Sequence, residues 1–307
     1  APRPGGLYDG AHIITLLEPV IMPWTLSAFA DEAGPTITEQ ITALHRAGVK
    51  YIDPRMVNGH NISVLPLDEA RHVRNQLDAA GIKVQMFGSP IGKISLGDDM
   101  NIDLQKLAHL GQLADILDCR AVRIFSYFNQ DKLPHDQWRK IALDRLGQLK
   151  KLAGDLGLVL YHENERHIYG DFCADVLEIA QTLRDGKTFK MIFDFANFLH
   201  NGEDAWSNWQ KLRLLTDAIH LKDCTPAGHT PAGQGNGKVR ETLRDLVTMG
   251  WSGPLTIEPH LKHSAAVLAT GPSGEKNFTF EKLSEADVFH IAATAATQLI
   301  ADVGVKL

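Results

Sequence analysis

The chain has 307 residues, of which 44% are hydrophobic and 22% are charged, a composition typical of a globular protein with a large core and not of a disordered chain. Its formal charge of −6 and its pI near 6.2 disfavour a nucleic-acid-binding surface, which needs clustered basic residues. The three cysteines are scattered and form no CxxC pair, which excludes a disulfide framework. We therefore expect a small-molecule partner and no nucleic acid.

The first residues, APRPGGLYDGAH, lack the basic start and the apolar middle of a signal peptide. No apolar run reaches the ~20 residues that are needed to cross a bilayer. The sequence therefore favours a cytoplasmic protein without a membrane segment. A periplasmic or secreted location stays open, because a leader could have been removed before Ala1. Residues 1–24 precede the first regular unit and are predicted to be an N-terminal extension that packs outside the main domain.

Short β-rich runs recur through the rest of the chain, and each is followed by a stretch with helical periodicity, as expected for repeated βα units. We predict eight strands, at residues 25–30, 51–56, 84–89, 121–126, 158–163, 191–195, 218–222 and 255–258. Gly48, Gly81 and Gly250 suit left-handed caps at the ends of three intervening helices.

Eight parallel units close naturally into a barrel. The alternative is a doubly wound sheet, which would usually carry a GxGxxG turn after its first strand, and the segment SAFADEAG has none. We predict an α/β protein with a single (β/α)8 TIM barrel over residues 25–307.

Metal-binding side chains stand at or near the ends of the last four predicted strands: Glu163, Asp194, His220 and Glu258. The C-terminal ends of the strands form the active-site face of such a barrel. One acidic residue or histidine at a strand end is usually a rim residue, but four on successive strands indicate one convergent site. Three carboxylates and an imidazole suit a divalent cation such as Mg²⁺, Mn²⁺, Co²⁺ or Zn²⁺.

The motifs SAFADE, SPIGK, HENE with YGD, FDFANF, HLKD, PAGQG and GWSGPLTIEPHL, in this order, resemble the xylose-isomerase-like TIM barrel family of sugar phosphate isomerases and epimerases, which is related to D-tagatose 3-epimerases and inosose dehydratases. The resemblance covers residues 25–307. It implies a divalent metal, most often manganese, held by Glu163, Asp194, His220 and Glu258. It also implies a carbohydrate substrate, proton transfer by the two glutamates through an enediolate, and a homo-oligomer, either a dimer or a tetramer.

Three residues depart from the epimerase pattern. Asn197 stands where the pattern has a histidine, Tyr169 where it has a second glutamate, and Thr225 where it has an arginine. Substrate contacts should therefore differ from those of the epimerases, and a D-tagatose-type substrate is not supported. Asn197 also weakens the alternative of an apurinic endonuclease, whose three-zinc cluster needs extra histidines.

Two further side chains should point into the same cavity, because residues two apart share one face of a strand. Lys222 follows His220 at this spacing and is either an electrophile or acid for the substrate, or the partner of a carboxylate such as Asp223 or Asp53. His260 follows Glu258 in the same way and is a candidate substrate-binding residue.

Loops after the strands supply the remaining candidates for substrate binding. His167 and Glu165 lie in the loop ENERHIYGD, where His167 is a candidate proton carrier. Ser89 and Lys93 lie in SPIGK, and Asn197 follows Asp194, so these three are candidate contacts as well. Lys93 is alternatively a solvated loop charge.

Arg55 presents a choice of two roles. It lies two residues after Asp53, with which it is predicted to form a buried pair, or it binds a hydroxyl or carboxylate of the substrate.

Three functions remain open from the sequence. The first is a metal-dependent isomerase or epimerase of a keto sugar or related polyol. The second is a lyase or dehydratase that eliminates a group β to a keto group, as with inososes or 3-keto-glycosides. The third is a non-catalytic sugar-binding or partner subunit that has kept the metal.

Overall fold

The computed structural model describes residues 24–262 and 280–307. All eight predicted strands are found, as β1 (Thr25–Ala28), β2 (Tyr51–Ile52), β3 (Lys83–Val84), β4 (Ala121–Ile124), β5 (Val159–Glu163), β6 (Phe189–Asp194), β7 (Ala218–Leu221) and β8 (Pro254–Ile257). The described helices are α1 (Ile37–Ala47), α2 (Leu67–Ala80), α3 (Asn101–Leu117), α4 (His135–Asp155), α5 (Cys173–Leu183), α6 (Phe195–His200), α7 (Ala205–Leu212), α8 (Val239–Thr248) and α9 (Glu285–Asp302).

Six strands form one parallel sheet in the order β1, β8, β7, β6, β5, β4, and β2 and β3 pair with each other in parallel. Backbone hydrogen bonds join the two groups. Asp53 N lies 2.9 Å from Ala28 O, and Phe87 N lies 2.9 Å from Ala121 O. The eight strands therefore close into a ring, which confirms the predicted TIM barrel and excludes the doubly wound sheet.

The predicted lengths of β2 and β3 were wrong, although their positions are confirmed. After Ile52 the chain passes through Pro54, which has no backbone N–H to continue a ladder. After Val84 the Gln85 N–H still reaches Ile52 O at 2.9 Å, and the chain then makes an isolated bridge between Phe87 and Val122. These segments still approach their neighbours closely enough to complete the barrel.

Helix ends follow the sequence signals. Thr36 forms a capping box with Glu39 at the start of α1. Gly48, at the end of this helix, has the left-handed φ of 69° that favours glycine. Gly81 and Gly250 have similar values, 67° and 65°. The three predicted glycine turns are thus confirmed, and each directs the chain from a helix to the next strand.

Side chains inside the barrel change from apolar to polar towards the C-terminal ends of the strands. Tyr161, Ile192 and Ala218 form an apolar layer with Met86. Two residues later on the same strands stand Glu163, Asp194 and His220, which must face the same side. An apolar layer therefore fills the interior of the barrel on the N-terminal side of the predicted metal ligands.

Trp24 belongs to the predicted N-terminal extension, and the other residues of that segment lie outside the described part of the chain. The Trp24 side chain is buried, and its Nε1 donates a hydrogen bond to Trp251 O at 2.8 Å. The chain is therefore anchored against the barrel directly before β1. Within residues 24–262 and 280–307, no helix is both long and apolar enough to span a membrane.

Candidate metal centre

The four predicted ligands meet at the C-terminal end of the barrel. Glu163 and Asp194 end β5 and β6, His220 lies in β7, and Glu258 follows β8 directly. One potential ligand atom from each residue lies within 4.8 Å of those of the other three. All four side chains are buried. Three carboxylates and one imidazole at this spacing fit a divalent cation.

His220 stands between the two glutamates. Its Nδ1 lies 2.8 Å from Glu163 Oε1 and 3.1 Å from Glu258 Oε2. Burial by itself would lower the pKa of His220, but the charges and hydrogen bonds of Glu163 and Glu258 outweigh it and raise the pKa to about 10. In the metal-free protein, a proton on the imidazole thus holds the carboxylates together, and a cation would take over that role.

Asp194 has its two carboxylate oxygens in different roles. Oδ1 accepts the backbone N–H of Asn197 at 2.9 Å and caps α6. Oδ2 lies 2.9 Å from Nζ of Lys222. Asn164 fixes the Asp194 backbone on both sides, since its Oδ1 accepts the Asp194 N–H at 2.8 Å and its Nδ2 donates to Asp194 O at 3.0 Å. These contacts direct one oxygen, Oδ2, into the metal centre.

Lys222 points inward, as predicted, but its partners differ from those expected. Besides Asp194, its Nζ lies 3.3 Å from Glu258 Oε2. The predicted alternatives Asp223 and Asp53 are wrong, because each is engaged elsewhere: Asp223 by backbone N–H groups and Asp53 by Thr256. Lys222 therefore contacts two of the four candidate ligands.

Two arginines also reach the glutamates. Arg123 Nη1 lies 3.2 Å from Glu163 Oε2 and 3.2 Å from Glu258 Oε1. Arg55 Nη1 lies 3.3 Å from Glu258 Oε1. Burial would raise the pKa of Glu258, but nearby positive groups, with Lys222 foremost, hold it well below its ordinary value. Glu258 is thus kept ionised.

The predicted pair between Asp53 and Arg55 is wrong. Arg55 instead forms a two-pronged contact with Asp31, through Nε at 2.8 Å and Nη2 at 3.0 Å. Asp31 lies in a short 3-10 turn, Ala30–Glu32, directly after β1. This turn brings the Asp31 carboxylate to the Arg55 guanidinium, whose parallel N–H groups suit two-pronged binding of a carboxylate. Asp53, two residues before Arg55 in the chain, accepts the Thr256 hydroxyl instead. Sequence reasoning missed this role of Asp31, for which the acidic pair in SAFADE was the signal.

His260 lies beside Glu258, as predicted, with its Nε2 3.4 Å from Glu258 Oε1. Its backbone has a φ of 47°, which is uncommon for a residue with a side chain. Glu32 holds this conformation, since it accepts the His260 N–H at 2.9 Å. Burial raises the pKa of Glu32 to about 8. Glu32 was not predicted as part of the site.

Two other histidines extend from His260 and were also missed. The His229 ring packs edge-on against His260, with centroids 5.5 Å apart. His229 Nε2 lies 2.9 Å from His200 Nε2. His229 belongs to a hairpin after β7 whose position relative to β8 could not be read from sequence periodicity.

The predicted loop contacts fall into two groups. Lys93 and Glu165 form an ion pair of 2.9 Å that joins the loops after β3 and β5. Burial would raise the pKa of Glu165, but Lys93 and Lys222 lower it to about 2. His167 is exposed on the same loop as Glu165, with a left-handed φ of 66°. The structure therefore leaves the Glu165 side chain only 12% exposed, whereas His167 lies on the surface.

Ser89 and Asn197 use their side chains to hold the backbone. Ser89 Oγ donates to Arg123 O at 2.5 Å, and Asn197 Nδ2 donates to Asn164 O at 2.9 Å. Both side chains are buried. Their suggested contacts with substrate remain predictions.

Asp223 organises the glycine-rich loop after β7. Its carboxylate accepts the backbone N–H groups of Cys224, Gly233, Gly235 and Gly237 at 2.9–3.0 Å. A Cβ on Gly235 would lie only 2.3 Å from Asp223 Oδ1. The glycines therefore allow the loop to wrap around a buried carboxylate, which explains them without a phosphate.

Solved structures with the same fold include several enzymes. The probable 3-DHS dehydratase AsbF from Bacillus anthracis is 16% identical, with a TM-score of 0.66 over 90% of this chain and 99% of that one. The 3-keto-D-glucoside 4-epimerase YcjR from E. coli is 16% identical, with a TM-score of 0.60 over 91% and 99%. The IOLI protein with a bound zinc atom is 15% identical, with a TM-score of 0.70 over 92% and 99%. At such identities the likeness shows the fold alone.

A comparison with curated protein sequences finds no significant match. The model of the family described as "Xylose isomerase-like TIM barrel" matches residues 41–275. This range covers most of the barrel and includes all four candidate ligands. The chain belongs to the xylose isomerase-like TIM barrel family.

Proposed function

We propose that the protein is a divalent-metal-dependent isomerase or epimerase of a keto sugar or related polyol. The observation that carries the proposal is that the carboxylates of Glu163 and Glu258 both reach His220 Nδ1, at 2.8 and 3.1 Å. Two carboxylates that meet at one point can exchange protons with the same substrate carbon or with neighbouring carbons. The epimerase named among the structural neighbours is consistent with this class.

Glu163, Asp194, His220 and Glu258 would hold the cation, with Mn²⁺ as the expected ion and Mg²⁺, Co²⁺ and Zn²⁺ as alternatives. When bound, the cation would polarise a carbonyl and its neighbouring hydroxyl and stabilise the enediolate. One glutamate removes the proton from carbon, and the other returns a proton to the opposite face or to the neighbouring carbon.

Lys222 would act on the substrate oxygen. Burial would lower its pKa, but Asp194 and Glu258 raise it above the ordinary value, so the amine is present as an ammonium at neutral pH. It can thus donate a hydrogen bond to the developing oxyanion. The proposed substrate contacts are Arg55, His260, Ser89, Asn197 and the ion pair of Lys93 and Glu165. His167, on the exposed loop, is a further candidate.

A lyase is the second candidate, and the position of Lys222 favours it. In β-elimination a glutamate takes the C–H proton, the C–O bond breaks, and the leaving oxygen takes a proton from an acid. The Lys222 ammonium, which contacts two candidate ligands, would be that acid. A dehydratase is among the structural neighbours.

Proton NMR in deuterated water tests both reactions with manganese-loaded and demetallated protein and a panel of ketohexoses, inososes and 3-keto-glycosides. Metal-dependent deuterium uptake with a new epimer or isomer supports the isomerase. Release of water or aglycone supports the lyase instead. Binding of a panel member without exchange or release would contradict both and support a binding subunit.

Glu163→Gln and Glu258→Gln should each abolish the reaction, because an amide cannot take the proton. Glu241→Gln is a matched control, since Glu241 is an exposed residue of α8 that pairs with Lys238. Full activity in either active-site variant would refute the assigned roles.

A further inference from the structure

The His220 ring has one nitrogen with partners and one without. Nδ1 faces Glu163 and Glu258, whereas Nε2, on the other side of the ring, is buried and makes no hydrogen bond within the described residues. A histidine that binds a metal almost always donates its other N–H to a carboxylate, a carbonyl or water. A buried N–H without a partner would be costly.

Asp53 offers the complementary atom. Its side chain is buried, and its Oδ2 accepts the hydroxyl of Thr256 at 2.7 Å. Its Oδ1 is buried and also without a hydrogen-bond partner in the described chain. Thr256 and His220 are paired neighbours in the parallel register of β8 and β7. The Thr256 hydroxyl therefore places the Asp53 carboxylate inside the barrel at the level of His220.

Arg123 supplies a third buried polar atom, since its Nε has no hydrogen-bond partner among the described residues. The Arg123 guanidinium and the His220 ring both pack against Phe29, with Arg123 Cζ 4.6 Å and the His220 ring centroid 5.5 Å from the centroid of the Phe29 ring. Burial raises the pKa of Asp53 to about 6, against the opposing charges of His220 and Arg123. A buried water molecule typically makes about three hydrogen bonds. The donors His220 Nε2 and Arg123 Nε and the acceptor Asp53 Oδ1 would supply that number.

We propose that Asp53 is a positioning residue for His220, acting through one buried water that accepts from His220 Nε2 and Arg123 Nε and donates to Asp53 Oδ1. The contact fixes the imidazole with Nε2 protonated and Nδ1 turned to the cation. Ser27 supports the arrangement, since its Oγ lies 3.1 Å from the Thr256 hydroxyl. This inference rests on the proposed metal centre, but it concerns the orientation of a ligand and not the reaction.

The test compares wild type with Asp53→Asn, which keeps the size of the side chain and removes its charge. We expect Asp53→Asn to bind Mn²⁺ about tenfold or more weakly by calorimetry, the usual effect of losing a partner of a metal-binding histidine. Asp103→Asn is the matched control, because Asp103 is equally buried but accepts the backbone N–H of Gly92. It should keep the wild-type affinity. A twofold change or less in Asp53→Asn would overturn the proposal.

A second readout needs no metal. In ¹⁵N-labelled wild-type protein, the His220 Nε2–H should give a downfield proton signal that exchanges slowly with water, and Asp53→Asn should lose that signal or its protection. An unchanged signal would overturn the proposal. A wild-type protein that binds no divalent cation would refute the proposed function, while this signal would still decide the role of Asp53. If Asp53→Asn fails to fold, Thr256→Val, which keeps the carboxylate but removes its anchor, should weaken the signal in the same way.

Discussion

Glu163 Oε1 lies 2.8 Å from His220 Nδ1, although β6 separates the two strands that carry these residues. The contact forms because both side chains point into a closed barrel, whose curvature brings alternate strands together. Both side chains are buried. Together with Arg123, which also contacts Glu163, a proton on the imidazole or a bound cation balances the carboxylate charge at this point.

We predict that cation binding releases a proton from His220. The raised pKa of about 10 means that the imidazole is protonated at neutral pH when no metal is bound. A divalent ion needs the neutral ring, so binding should release about one proton. Calorimetry in buffers with different ionisation enthalpies measures this number. Binding without proton release at neutral pH would contradict the protonated state.

The stability of the metal-free protein should depend on the same group. A pKa that is higher in the folded than in the unfolded chain stabilises the fold fully below the unfolded value of about 6.5. That contribution is lost as the pH rises through about 10. Urea unfolding of metal-free protein should therefore show a falling free energy of unfolding over this interval. His220→Gln should flatten the profile, and an equally steep profile in that variant would assign the effect to other groups.

Arg55→Met should destabilise the protein by about 3–5 kcal/mol, because it leaves buried carboxylates without their cation. Arg55→Lys should recover only part of this loss, since an ammonium cannot reproduce the two-pronged contact with Asp31. Chemical denaturation measures both values. The double variant Asp31→Leu with Arg55→Met should be more stable than Arg55→Met alone. Wild-type stability in Arg55→Met would show that the buried pair contributes nothing.

Lys222→Met should raise the affinity for a divalent cation, because the ammonium that competes for Asp194 and Glu258 is removed. We expect a gain of about tenfold, equivalent to about 1.4 kcal/mol. The same variant should turn over more slowly, since the donor to the substrate oxygen is lost. Weaker cation binding in Lys222→Met would mean that the ammonium organises the ligands and does not compete with the ion.

Gly235→Ala should disrupt the loop around Asp223. The new Cβ would lie 2.3 Å from the Asp223 carboxylate and 2.5 Å from Cys224 O, so the backbone must move. We expect a loss of about 1–3 kcal/mol, as for other overpacked positions. Gly147→Ala is the control, because this glycine lies inside α4, where an added Cβ would meet no other atom within 4 Å. It should gain about 0.5–1 kcal/mol from helix propensity. Thermal unfolding distinguishes the two signs.

The sequence predicted the barrel and the four ligands because both depend on local pattern. Asp194, for example, ends an apolar run whose strand character is strong, and the C-terminal end of such a strand has a known place in the fold. The partner of Arg55 was predicted wrongly because the choice between Asp53 and Asp31 depends on how neighbouring strands are staggered. Glu32 and His229 were missed because a short turn and a hairpin carry them to the site, and neither has a periodic signal.

Asp194 both caps α6 and directs an oxygen to the cation, so the end of β6 and the start of α6 share one residue. An insertion or deletion between residues 194 and 197 would therefore shift the helix against the ligand and damage both at once. The connection between β7 and α8 is different, because the Asp223 carboxylate holds its loop through backbone N–H groups. We expect variation in chain length among related proteins to concentrate in that loop and to spare the junction at Asp194.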